Sequence, residues 1–149
     1  MRGFLNKDQI ENILSSQSIG RLACSDGLYP YIIPINYAYD GEYIYGQTNP
    51  GTKLEIMRSN PNVSFEAELV TNMRNWQSVV LHGQFDELLD EPAMEAWSVF
   101  RRNVFSVETI TRVHNHEHEV AVSTDDDQRV KLIIFKISIE HVTGRYQRE

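Results

Sequence analysis

The sequence predicts a mainly β protein, a small antiparallel β-barrel decorated by helices. Three observations predict it. Six segments carry strand-like patterning, most of them consecutive, against about three with helical patterning. Val63, Phe65, Ala67 and Leu69 alternate with Ser64, Glu66 and Glu68, the period of a half-buried strand. Gly83 interrupts the long run Trp76 to Leu88 (WQSVVLHGQFDEL), marking a bulge or tight bend of the kind a barrel corner needs. At 149 residues the chain, 1–149, reads as one domain able to bury its own core.

Taken in order, Asn6 is suited to cap a helix with Gln9 at its third position, and Leu5 can staple against Ile10. Ile10, Ile13 and Leu14 make its apolar stripe, and it should end near Ser16. Ile19 to Ser25 (IGRLACS) reads as the first strand, turned by Asp26-Gly27. Ile33, Ile35 and Tyr37 alternate with Pro34, Asn36 and Ala38, and Asp40-Gly41 suits a type I′ hairpin before a return strand, Glu42 to Gln47. Thr52-x-x-Glu55 spells a capping box, starting a helix at Lys53 that must stop near Asn60, since Pro61 follows. Thr71 to Asn75 reads as a polar loop and Trp76 to Leu88 as a strand. Asp90 should cap the next helix, with Pro92 in its first turn and Met94, Trp97, Phe100 and Val104 on its apolar face. Val130 to Ile139 (VKLIIFKISI) reads as the final strand, and His141 to Glu149 as a polar tail. Ser106 to Arg129 carries no readable periodicity, and no internal repeat is present.

Composition narrows the function. Hydrophobic content of 41% with 23% charged residues is ordinary for a soluble globular protein. A net charge of −7 argues against nucleic-acid binding, which needs a basic face. No apolar run approaches a membrane span, and MRGFLNKDQIENILSS is too polar for a signal peptide, so a cytoplasmic location is expected. Cys24 is the single cysteine, which excludes an intramolecular disulfide, and its apolar strand makes it a small buried residue.

The stretch Tyr29 to Asn62 holds the candidate chemistry. A strand, a Gly loop, a helix start and a lysine together make an anion site. The first N–H groups of a helix lack partners and sit at its positive end. Gly51 lets a ligand approach the backbone, Thr52 offers a hydroxyl and Lys53 a full charge. The same pattern also serves a plain cap beside a solvated lysine, since the motif has no unique spelling.

The order of IGRLAC, YPYIIPINYAYDGEYIYGQTNPGTK, LEIMRSNPNVSFE and NWQSVVLHGQFDEL, with a late strand ending in VTGR, resembles the FMN-binding split-barrel family that includes pyridoxamine 5′-phosphate oxidase. Within it the chain is similar to the flavoproteins related to nitroimidazole-resistance (Nim) proteins. The resemblance runs from about Ile10 to Arg145 and implies a six-stranded antiparallel split β-barrel that binds FMN. It places the FMN phosphate at Gln47-Thr48 and Gly51-Thr52-Lys53, with Lys53 matching the family's phosphate-binding lysine. It sets Ile33, Pro34, Ile35 and Asn36 along the flavin ring, Ser78 as a polar contact, and Trp76 over the ring or ribityl chain. It also implies a homodimer with FMN at the subunit interface. The oxidases' strand arginine and lysine appear here as Tyr31 and Asn36, and the Nim histidine before the phosphate loop as Gly46 or Gln47. The oxidases' C-terminal tryptophan and arginine have no counterpart in TGRYQRE, where Arg145 and Arg148 are the only candidate cations of an exposed tail.

Two classes of function follow: an FMN-dependent oxidoreductase of reductase type acting on a small molecule, or a non-catalytic flavin-binding protein. Haem binding on the same barrel is a third reading. Flavin chemistry belongs to the cofactor, so the sequence names no catalytic residue. His114-x-His116-x-His118 lies among Asn115, Glu117 and Glu119 and reads as a solvated run rather than a metal site. His82 reads as a hydrogen-bonded structural histidine. Arg74 and Asn75 suit either a turn or a pocket wall.

Overall fold

Six strands close on themselves. The computed structural model describes residues 1–111 and 131–149. In chain order these are β1 (Arg2–Phe4), α1 (Lys7–Ser16), β2 (Ile19–Ser25), β3 (Pro30–Tyr39), β4 (Tyr43–Thr48), α2 (Thr52–Ser59), β5 (Asn62–Asn72), β6 (Asn75–Glu87), α3 (Asp90–Thr111) and β7 (Ile133–Gln147). The sheet order is β1-β7-β4-β3-β2-β5-β6, all antiparallel, and an additional β6–β7 pairing closes it into a barrel. β1 is a short extra strand on the flank of β7. Closure removes the open edges that a flat sheet would present.

Alternation decides what faces the interior. Leu22, Cys24, Tyr37, Ile44, Phe65, Ala67, Val79, Leu81, Phe135 and Ile137 point inward and are buried. Helix α1 lays Ile13 and Leu14 into the same core. The expected capping box is present: Asn6 Oδ1 accepts from the Gln9 amide at 2.9 Å, and Gln9 Oε1 from the Asn6 amide at 2.8 Å. Gly83 coincides with the register shift between β6 and β7. A Cβ there would lie 1.8 Å from the Ser138 carbonyl oxygen, so the crossing is open only to glycine.

Several expectations need correction. The turn between β3 and β4 is centred on Gly41-Glu42, because Asp40 pairs with Tyr43 through a 3.4 Å backbone bond. Only Gly41 has positive φ, 98°, the pattern of a type II′ turn rather than I′. The Asp40 carboxylate instead accepts from the amides of Glu42 and Tyr43. The β5–β6 loop shrinks to Met73-Arg74, because Asn72 Oδ1 accepts from the Arg74 amide and the Asn75 side chain.

Helix α3 takes its first bond from the Ala93 amide to the Leu89 carbonyl, so Asp90 lies inside the first turn and not at the cap. Its inward stripe is Ala93, Ala96, Trp97 and Phe100, spaced 3, 4 and 7 residues on from the first, with Ala96 and Phe100 buried and the other two half-buried against Ala38, Leu88 and Ile134. Met94 falls off that stripe and is 71% exposed. The polar tail is not a tail: β7 continues through Gln147, held by β6 on one side and β1 on the other. Val142, Gly144 and Tyr146 alternate inward there, with Gly144 making room for Leu5 and Ile10. The side chain of Val104, the histidines His114, His116 and His118, and the acidic run Asp125 to Asp127 lie outside the described residues. Among the described residues no helix is long and apolar enough to cross a membrane.

Candidate functional site

Two features face outward where the sequence placed chemistry. The first is the start of α2. Gln47 and Thr48 end β4, paired with Ile134 and Ile133, and the chain then turns through Asn49-Pro50-Gly51. Gly51, not Thr52, occupies the N-cap, and no side chain caps the helix, so the expected Thr52–Glu55 box does not form. The helix begins one residue earlier than expected, with the Glu55 amide bonded to the Gly51 carbonyl at 3.1 Å. The Glu55 carboxylate turns to Arg58 at 3.0 Å. The first-turn amides are therefore left without a side-chain partner.

Thr52 and Lys53 are exposed beside them, and among the described residues Lys53 makes no ion pair. Nothing lies within 4 Å of a Cβ built on Gly51. An oxyanion fits this donor set: bare amides, a hydroxyl and a cation on open backbone. Lys53 also reaches β2 electrostatically. Burial pushes the Cys24 thiol up, and the nearby ammonium opposes that rise. A recess of about 460 Å³ adjoins the helix start, lined by Ser25, Asp26, Gly27, Thr52 and Glu55 among others.

The second feature is the outer face of the barrel. In register across β3, β2, β5, β6 and β7 lie Pro34, Arg21, Glu66, Val80 and Thr143. Pro34 and Asn36 are exposed on this face. Ile33 and Ile35 point the other way and pack against the core, Ile35 towards Gly46. Only their backbone borders the outside. Trp76 and Ser78 are half-buried on β6, with Ser78 opposite Glu68 on β5 and Arg145 on β7. β2 and β5 separate β3 from β6, so the Pro34 and Ser78 positions stand about 14 Å apart at ordinary strand spacing.

The face is apolar at its margins, where Ile19 is 55%, Ile32 71% and Val70 56% exposed. Its middle holds a polar group that sequence reading did not assemble. Arg21 Nη1 lies 3.4 Å from Glu68 and 3.9 Å from Glu66, and the Ser78 hydroxyl donates to Glu66 at 3.2 Å. Burial first, and Glu68 second, raise the Glu66 carboxyl above its ordinary range; Ser78 and Arg21 oppose the shift. Cross-strand register is what brings these four together, and only the alternation of Glu66 and Glu68 hinted at it. At the far side His82 Nδ1 is 2.6 Å from Ser64 Oγ, and its ring runs parallel to that of His141. Among the described residues no cluster of three or more metal-ligating side chains occurs. Arg145 lies over the Phe4 ring at 5.3 Å, fixed in a strand rather than loose in a tail.

Residues 6–145 match the family model described as pyridoxamine 5′-phosphate oxidase. An uncharacterised protein of Rhizobium meliloti (strain 1021) is 33% identical over 103 residues, 66% of this chain and 68% of its own. Among solved structures, a FAD-binding protein from Mesorhizobium loti superposes with a TM-score of 0.76 at 28% identity, covering 100% of this chain and 98% of the other. A putative 5-nitroimidazole antibiotic resistance protein from Bacteroides thetaiotaomicron gives 0.70 at 19% identity, covering 98% and 87%, a likeness of fold.

Proposed function

This chain belongs to the pyridoxamine 5′-phosphate oxidase family, and from that membership we propose that it is a homodimeric FMN-dependent oxidoreductase of reductase type. The observation that carries the reading is the uncapped start of α2. Its free amides, the Thr52 hydroxyl and the Lys53 ammonium form a phosphate cradle on open backbone. The Mesorhizobium relative, described as FAD-binding, supports a flavin there.

Pro34, Asn36 and the backbone of Ile33 and Ile35 border one edge of the ring, and Ser78 and Trp76 another. The two-strand gap between these sets supports drawing them from two chains. The exposed Ile19, Ile32, Val70 and Val80 support the same dimer, since monomers rarely leave so much apolar surface uncovered. When bound, the flavin supplies hydride and electron transfer. The protein's part is to hold the phosphate, orient the ring and keep water off one face. A face with apolar margins and the Trp76 ring beside it suits a flat neutral or weakly polar small molecule as substrate. The acidic charge and the single unpaired cysteine support a cytoplasmic location.

The test is the absorption spectrum of the purified protein, followed by anaerobic stopped-flow mixing. Flavin bands, and oxidation of the reduced protein by quinones or nitroaromatics, are expected. Rapid flavin reduction by pyridoxamine phosphate would overturn the reductase assignment. Inertness to every donor and acceptor would leave a flavin-binding protein without catalysis, and a Soret band in place of flavin bands would favour haem.

A further inference from the structure

The polar group on the outer face has an internal logic. Arg21 on β2 is one guanidinium facing two carboxylates, Glu66 and Glu68 on β5, so one negative charge is unmatched. Ser78 approaches from β6 and donates its hydroxyl to Glu66 Oε1 at 3.2 Å. Two more groups complete the surroundings. Tyr37 on β3 feels the Glu66 charge from beneath, and Arg145 on β7 is the register partner of Ser78. A serine hydroxyl has one proton to give and two lone pairs to accept with. Once the proton is committed to Glu66, Ser78 can offer only lone pairs to anything lying on the face.

We propose that Glu66 fixes the hydrogen-bonding sense of Ser78 towards the flavin, making Ser78 an acceptor for the imide N–H of the ring and a poor partner for its carbonyls. The inference rests on the flavin reading above, and it makes Glu66 a positioning residue rather than a catalytic one. It also couples binding to a proton. With Glu66 ionised, Ser78 accepts the imide N–H. With Glu66 protonated, its carbonyl oxygen is a weaker acceptor and its acid proton can go to Glu68 or to Ser78, so Ser78 is no longer held as an acceptor for the imide N–H. The half-buried position and Glu68 hold that titration above the usual carboxylate range. By reciprocity, a flavin that prefers ionised Glu66 binds less tightly as pH falls through that titration.

The probes are riboflavin, which carries no phosphate to titrate, and its N3-methyl derivative, which lacks the imide proton. Affinities are read by flavin fluorescence quenching between pH 7.5 and 5.0. For the native protein riboflavin should weaken about fivefold towards the acid end, the worth of one hydrogen bond. At pH 7.5 the N3-methyl compound should bind worse than riboflavin. Glu66→Gln, which keeps size and loses the titration, should flatten the pH profile. Ser78→Ala should flatten it too and reduce the preference for the imide proton. An unchanged slope in both variants would overturn the inference. Native protein that binds riboflavin with no slope and no N3 preference would overturn it while leaving the flavin reading standing. Native protein that binds neither riboflavin nor FMN would overturn both.

Discussion

Tyr37 on β3 donates its buried hydroxyl to the carbonyl of Leu14, 2.8 Å away near the end of α1. The bond satisfies a helix-end carbonyl inside the core and ties α1 across the barrel. Tyr37→Phe keeps the ring and its edge-on contact with Phe65 but strands that carbonyl. It should cost about 1–2 kcal/mol in a urea titration, the penalty for a buried acceptor left alone. An unchanged midpoint would show that water reaches the Leu14 carbonyl.

Gly83→Ala should be among the most damaging small substitutions. The added methyl meets the Ser138 backbone, which cannot swing aside as a side chain does. A loss of about 3 kcal/mol or failure to fold is expected, at the upper end of overpacking costs. A thermal melt decides it.

Lys53→Ala should weaken FMN by about 1–3 kcal/mol, the range for a charge-assisted contact. Riboflavin should be nearly indifferent, because it lacks the phosphate that Lys53 would hold. Equal losses for both ligands on titration would place Lys53 elsewhere than at the phosphate.

The native protein should scatter light as a dimer of 17.3 kDa chains at micromolar concentration. Ile32→Glu, on the outer face beside Ala23, should yield monomer with flavin affinity reduced at least tenfold, since half of each site would go with the partner. A native monomer at that concentration sinks the dimer.

Two carboxyls should act on stability with opposite sign. Burial works to raise Asp40, but the amides of Tyr43 and Glu42 and the Tyr45 hydroxyl outweigh it and hold it below its ordinary range. Its contribution is present above the unfolded value, about 3.9, and is lost as pH falls through the lower folded value. Glu66 is raised, so the folded state prefers its proton; that contribution is present below about 4.3 and is lost as pH climbs through the folded value. Asp40→Asn should therefore lower Tm at pH 7 and lose its effect once pH has fallen below the folded value. Glu66→Gln should raise Tm at pH 7 and match the native protein by pH 4. Calorimetry across that range reads both.

Strands with clean alternation were legible from sequence: Ile19–Ser25 forms with those bounds, and Asn6 with Gln9 announces α1. The second half of β7 was not. Its inward positions, Val142, Gly144 and Tyr146, are diluted by polar outward ones, and pairing on both flanks makes it a strand. The α2 start shows a finer failure. Thr52 and Glu55 have the spacing of a box, but the helix begins one residue sooner and the backbone of Gly51 takes the cap. The position of Lys53 beside the start of α2 was legible because a charge there needs no partner strand to be noticed. The link from Ser78 to Glu66 was hidden because it exists only once β5 and β6 are in register.

Met1 and Arg148 exchange two backbone hydrogen bonds, the Met1 amine donating to the Arg148 carbonyl at 2.6 Å and the Arg148 amide to the Met1 carbonyl at 2.8 Å. The ladder between β1 and β7 thus joins residues about as far apart in sequence as this chain allows. Forming it early would mean closing a loop of nearly the whole chain before any other contact offset the lost entropy. It is therefore expected to form late, after the folding transition state. Weakening β1 should leave the refolding rate almost untouched and appear as faster unfolding, so this three-residue flanking strand acts on the lifetime of the fold rather than on the speed of its formation.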